Sequence, residues 1–199
     1  MEPRKTLLFR RETVRTGPST GMGSVRELEG PKAPERIEVV VEIPRDSRNK
    51  YEIDAATGEV WLDRTLFTAT RYPANYGYIP RSLAGDGDPL DVLVLGDDPL
   101  YPGVHLWARP IAALLMADQA GPDAKIVAVP WDDPRYLHLT DLENLGRHLR
   151  EEIHHFFEVY KALERHKTTE ITDWVGRAEA EQLIVEALIA SALTQGDRA

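Results

Sequence analysis

With 199 residues and no cysteine, the chain is long enough for one well-buried core and too short to make two ordinary domains the default. Disulfides, cysteine–zinc sites, iron–sulfur clusters and thiol nucleophiles are excluded, so any metal must be bound by oxygen or imidazole. A composition of 42% apolar and 29% charged residues belongs to a globular rather than a disordered protein. No apolar run approaches the roughly 18 residues needed to cross a bilayer, and a cytoplasmic protein without membrane association is expected. The net charge of −9 is uneven: residues 1–36 carry eight Lys/Arg against five Asp/Glu, which leaves −12 on the remainder. A body of that sign repels a phosphate backbone, so nucleic acid is not an expected partner.

The first 35 residues contain Gly17-Pro18-Ser19, Gly21-Met22-Gly23 and Gly30-Pro31, breakers too dense for a long regular element. They are expected to form an extended or partly ordered arm, with the folded domain over 36–199. At Ile37–Ile43 β-branched residues alternate with polar ones up to Pro44, a strand pattern that places Glu38, Val40 and Glu42 on one face. Lys50–Asp54 and Glu59–Asp63, joined by Ala55-Ala56-Thr57-Gly58, read as a hairpin in which Lys50 and Glu52 point to one side. Short apolar runs at Asp91–Leu95, His105–Leu115 and Ile126–Val129 follow, a spacing that suits a small barrel or sandwich. From Thr140 the period becomes helical through Leu142, Leu145, Leu149, Ile153, Phe156, Tyr160 and Leu163, with Thr140-x-x-Glu143 fitting a capping box. A second helix is expected from near Arg177 to Leu193, with Leu183, Ile184, Ala187 and Leu188 as its apolar stripe.

Chemistry concentrates in Asp86-Gly87-Asp88-Pro89-Leu90-Asp91, three carboxylates in six residues followed by an apolar strand. Such a cluster repels itself unless cations neutralise it. Counted as a calcium loop from Asp86 it fails, because position 5 is Leu90, position 6 is Asp91 and position 12 is Asp97. Asp118 and Asp123 flank a polar turn at the end of another apolar run and could add oxygen ligands, enough for two or more magnesium ions. Paired divalent ions suit phosphoryl hydrolysis. Lys50, Arg64, Tyr76, Lys125, Tyr160 and Lys161 are candidate cationic and hydroxyl partners for phosphoryl groups. Taken singly, each is more simply a surface cation or a core tyrosine. There is no GxxxxGK[ST] loop and no HExxH; His154 and His155 are assigned to packing, surface or a subunit contact.

Seven segments in order resemble family I soluble inorganic pyrophosphatases, from about Arg36 to about Leu188. They are Val40-Val41-Glu42-Ile43-Pro44, Lys50-Tyr51-Glu52-Ile53-Asp54, Asp63-Arg64, Tyr72-Pro73-Ala74-Asn75-Tyr76-Gly77-Tyr78-Ile79-Pro80, the DGDPLD segment, Asp123-Ala124-Lys125 and His155-Phe156-Phe157-Glu158-Val159-Tyr160-Lys161. The resemblance implies an α+β, mainly β fold, an OB-like five-stranded barrel flanked by two helices. It also implies hydrolysis of pyrophosphate to two orthophosphates by a metal-activated water, with several Mg2+ ions per site and Mn2+ as a substitute. By position, Asp86, Asp91 and Asp123 match ligands of the first metal, Asp91 being shared with a second. Asp118 and Asp123 match ligands of a metal that arrives with substrate, Glu52 a contact to another, and Glu42 an acid lining the site. Asp88 matches the general base, and Lys50, Arg64, Tyr76, Lys125, Tyr160 and Lys161 match the groups that grip the two phosphates. Gln119 stands where many relatives carry a second acid. A homo-oligomer is implied, with a hexamer favoured. The competing reading, an OB-like module that binds nucleic acid or protein, predicts loss of these aspartates or cations, and none is missing.

Overall fold

Strand β1 (Ile37–Ile43) is followed by β2 (Asn49–Ile53), β3 (Val60–Thr65), β4 (Asn75–Tyr78), β5 (Asp91–Val94), β6 (His105–Asp118), β7 (Gly121–Pro122) and β8 (Lys125–Pro130); then come helix α1 (Arg147–Val159), strand β9 (Thr169–Gly176) and helix α2 (Arg177–Gly196). The structure, a computed structural model, describes residues 32–119, 121–165 and 168–196. The arm expected over 1–35 lies, except for its last four residues, outside the described residues.

Strand pairing closes on itself. β1 pairs β4, β4 pairs β5, β5 pairs β8, β8 pairs β6, and β6 returns to β1. This ring is the expected OB-like five-stranded barrel, antiparallel except for the parallel β5–β8 pair. β6 can serve four neighbours, β1, β7, β8 and β9, because it is 14 residues long; Pro110, which has no N–H to give, sits at its register shift opposite β8. β2 and β3 form a separate two-stranded hairpin.

Alternation along the strands divides the apolar residues between two packed layers. Leu93, Leu95, Leu114, Val127 and Val129 join the cluster that takes Ile153, Phe156 and Phe157 from α1. Val92, Val94, Ala113, Ile126 and Ala128 join the cluster that takes Ala180, Ile184 and Ala187 from α2. Strands buried on both faces explain why these segments read as continuous apolar runs. Gly77 of β4 lies so close to β1 that a Cβ there would stand 1.9 Å from the Val40 carbonyl oxygen.

Several elements differ from the sequence expectation. α1 begins at Arg147, not near Thr140. The capping residue is Asp141, whose Oδ1 accepts from the Leu142 N–H at 2.7 Å and from the Arg177 N–H at 3.1 Å. The Asn144 side chain completes that box on the backbone N–H of Asp141 at 3.2 Å. These bonds close a 3-10 turn over Leu142–Asn144, after which Leu145 is extended and Gly146 precedes the helix. Leu142 and Leu145 still pack into the core from this turn, whereas Leu163 lies past the helix end and is 65% exposed. The other differences are three strands that were not expected, β4, the two-residue β7 and β9. β9 follows the far half of β6 from Ala112 to Asp118. Among the described residues no helix is long and apolar enough to cross a membrane.

Candidate active site

The register of the barrel brings the chemistry together. Asp91 opens β5 and stands opposite Lys125, which opens β8; across β4 its partner is Tyr78. Tyr76, two residues earlier on the same face of β4, donates its hydroxyl to Asp91 Oδ2 at 2.5 Å. Lys125 is 2% exposed, and its ammonium bonds both Asp91 Oδ2 and Asp123 Oδ1. Burial opposes its charge, but Asp91 and Asp123 outweigh that and drive its pKa well above the ordinary lysine value. The floor beneath is aromatic: Tyr72, Tyr76, Phe156, Phe157 and Tyr160 pack with ring centroids 4.7–6.3 Å apart.

Beside this pair lies a cleft of about 380 Å³ lined by Glu42, Lys50, Glu52, Tyr76, Asp88 and Asp91 among others. β1 supplies Glu42 at its register shift, and Glu42 Oε1 accepts from the Ile53 N–H of β2 at 3.0 Å, which ties the hairpin to the barrel. Burial, with help from Asp91, pushes the Glu42 carboxyl up to about 7. Lys50 bonds Glu52, its neighbour on the same face of β2, and Asp63 Oδ2 at 3.2 Å. The DGDPLD segment turns through Gly87, whose φ of +94° is a left-handed conformation that suits glycine. That turn lets the Asp88 N–H reach Asp86 Oδ1 at 3.1 Å and the Ala84 N–H reach the Asp88 carbonyl at 2.7 Å. Burial, then the charges of Asp86 and Asp91, raise the Asp88 pKa; burial likewise raises that of Asp123.

Arg64, Asp118, Tyr160 and Lys161 do not line the cleft and connect to it through hydrogen bonds and ring contacts. Lys161 donates to Asp118 Oδ2 at 3.0 Å, joining the turn after α1 to the end of β6. The Lys161 ammonium sits 5.2 Å from the ring centroid of Tyr160, which is itself 5% exposed. Arg64 of β3 bonds Asp63 through Nη1 and Glu164 through Nε at 2.8 Å. Each predicted residue is therefore linked to this network, and Gln119 is exposed at the nearby turn. Sequence reasoning gave Asp63 no role beyond its place in the Asp63-Arg64 segment and did not single out Glu164. Asp63 could have been found, because hairpin pairing opposes Lys50 to Arg64 and carries Asp63 beside both. Glu164 carried no signal, since its partner is 100 residues away.

The acidic donor set of the site is Glu42, Glu52, Asp86, Asp88, Asp91, Asp118 and Asp123, all oxygen and without cysteine or histidine, as hard divalent cations require. The raised carboxyls of Glu42, Asp88 and Asp123 are groups whose ionised form a cation would favour. These residues fit such ions. Among the described residues, no three acidic or histidine side chains are grouped about one point as a ready metal site. Lysines share the acids' oxygens instead: Asp91 and Asp123 meet on Lys125, Glu52 and Asp63 on Lys50, and Asp118 on Lys161.

Comparison with known proteins shows the family of the chain. A sequence model of the family described as inorganic pyrophosphatase matches residues 39–191. The inorganic pyrophosphatase of Leifsonia xyli is 52% identical over 159 residues, covering 80% of this chain and 97% of that protein. That of Streptomyces coelicolor is 52% identical over 145 residues, covering 73% and 89%. The crystal structure of the inorganic pyrophosphatase from Thermus thermophilus superposes with a TM-score of 0.79 at 44% identity, covering 82% of this chain and 95% of that one.

Proposed function

Because the chain belongs to the inorganic pyrophosphatase family and is a hydrolase that converts pyrophosphate to two phosphates, we propose that the cleft between β1, β2, β4 and the DGDPLD turn is where it does so. The observation that carries this reading is the convergence of Glu42, Lys50, Glu52, Tyr76, Asp88 and Asp91 on that one cleft, with Asp123 and Lys125 adjoining through Asp91.

In this reading Asp86, Asp91 and Asp123 would hold the first Mg2+, and Asp91 would also serve a second. Asp118, Asp123, Glu52 and Glu42 serve the ions that complete the site, and Mn2+ can substitute. When bound, these ions neutralise phosphate charge and make water a better nucleophile. Asp88 is the general base: its carboxylate takes the proton of the attacking water as the new P–O bond forms and the bridging P–O bond breaks. Cations held beside it would favour the ionised form of Asp88, which is the form that can accept a proton. Lys50, Arg64, Lys125 and Lys161 hold the phosphate oxygens, and the hydroxyls of Tyr76 and Tyr160 donate to them. Such positioning and charge stabilisation carry most of the catalysis in phosphoryl transfer.

Phosphate release measured with pyrophosphate, tripolyphosphate and ATP in Mg2+, and again with excess chelator, tests the reading. Release from pyrophosphate that stops with chelator supports it; equal release from ATP, or release indifferent to chelator, refutes it. The family resemblance further supports a homo-oligomer, a hexamer foremost, in the cytoplasm, with the arm of residues 1–35 outside the catalytic unit. Light scattering on the purified chain distinguishes hexamer from dimer.

A further inference from the structure

Arg64 reaches the site from a hairpin that shares no ladder with the barrel. A long cation on such an element has many rotamers, and a substrate that had to select one would lose binding energy to ordering. Two carboxylates make that selection in advance. Asp63, its neighbour on β3, takes Nη1, and Glu164 takes Nε at 2.8 Å. The pair is sheltered, with the Glu164 side chain 5% exposed and that of Arg64 16%. Glu164 lies in the turn after α1, and its backbone N–H donates to the Lys161 carbonyl at 2.9 Å. One turn therefore carries both Lys161 and the acceptor that orients Arg64, although the two cations come from elements far apart in the chain.

We propose that Glu164 is a positioning residue for pyrophosphate binding: it fixes the Arg64 guanidinium through Nε and registers it against Lys161, leaving the Nη2 amino group, which neither carboxylate engages, for a phosphate oxygen. This rests on the reading of Arg64 as a substrate-binding cation. A guanidinium already fixed does not lose that freedom again when substrate binds. Glutamine at 164 retains an oxygen acceptor of the same reach, whereas alanine removes it.

The test is steady-state phosphate release from pyrophosphate with saturating Mg2+, with melting temperatures measured alongside, for Glu164→Ala, Glu164→Gln, Arg64→Ala and the Arg64/Glu164 double alanine variant. Glu164→Ala raises KM about tenfold, the low end of the worth of a hydrogen bond to a charged group. In the same variant kcat changes less than about threefold, since ground-state positioning is what is lost. Glu164→Gln returns KM to within about threefold of wild type because the Nε bond survives. Arg64→Ala and the double variant agree within about twofold in kcat/KM, because the contribution of Glu164 to substrate binding runs through Arg64. If Glu164→Ala does not fold, Glu164→Asp, which keeps the charge but shortens the reach, carries the same KM prediction. Unchanged KM in the alanine variant, or losses that multiply in the double variant while Arg64→Ala alone is impaired, overturns the role of Glu164 and leaves Arg64 as a substrate cation. Wild-type kinetics for Arg64→Ala overturns the reading of Arg64 itself, and the role of Glu164 with it.

Discussion

Replacing Lys125 with methionine keeps most of the side-chain volume and removes the cation that Asp91 and Asp123 share. Breaking a buried ion pair from one side costs about 3–5 kcal/mol, because the partner charge is left uncompensated. The protein can limit that loss by taking up a proton on one carboxylate. From an ordinary pKa near 3.9, at about 1.4 kcal/mol per pH unit, protonation at pH 7 costs at most about 4 kcal/mol. For Asp123 it costs less, since burial and then the charges of Asp91 and Asp86 already act to raise its pKa against the pull of Lys125. The net expectation is a loss of about 2–4 kcal/mol at neutral pH, or a melting temperature lower by roughly 5–15 °C for a domain of this size. The sign with pH follows from a carboxyl whose folded pKa is raised further in the variant. The penalty is fully present above that raised value and fades as pH falls toward the ordinary carboxylate range. In the wild type, Asp91 and Asp123 hold Lys125 charged to well above the ordinary lysine range, so its pairing does not titrate between pH 5 and 8. Thermal denaturation in chelator at pH 8 and pH 5 measures both effects. Equal melting at pH 8, or a gap that does not narrow at pH 5, would refute the reasoning.

Gly77→Ala forces a Cβ to within 1.9 Å of the Val40 carbonyl oxygen between paired strands; a loss of about 3 kcal/mol or more is expected in denaturant titration. Phe157→Ala empties a site that is 1% exposed beneath Tyr76 and Tyr160. It should cost about 3–5 kcal/mol on melting and weaken substrate binding along with stability. In metal-free protein, Glu42 is raised to about 7 by burial, so ionising it costs folding energy, and stability falls as pH rises from about 4.5 to about 7. Glu42→Gln flattens that fall, worth about 3 kcal/mol at its upper end, in chemical denaturation across this range. Chelator should abolish phosphate release while leaving the far-ultraviolet circular dichroism unchanged, because the barrel and helices rest on their own apolar clusters.

Barrel strands whose residues are buried on both faces were readable, since β-branched alternation and apolar runs survive in Ile37–Ile43, Asp91–Val94 and Lys125–Pro130. β4 escaped because its four residues, Asn75-Tyr76-Gly77-Tyr78, owe their strand to pairing with β1 and β5 and not to local propensity. β9 escaped because it is mostly half-exposed and finds its partner in β6, more than 50 residues upstream. The misplaced start of α1 has a local cause: Asp141 satisfies the N–H groups of Leu142 and Arg177, so the helical period from Leu142 begins in a 3-10 turn. At the site, the aspartates were legible because charge packed that densely in sequence has few structural uses. The grip of Glu164 on Arg64 was not, because only the closure of the hairpin against the turn after α1 joins them.

The central claim is that Asp88 takes the proton from the attacking water in this cleft. Asparagine at 88 keeps the size of the side chain, and the backbone bonds of the turn do not depend on its carboxylate. Turnover of pyrophosphate by Asp88→Asn at saturating Mg2+ and substrate is the most direct measurement. The account predicts a fall of about a hundredfold or more, as loss of a general base produces, with melting temperature and pyrophosphate affinity preserved. Turnover within a few-fold of wild type would contradict it and transfer the proton to another group of the site.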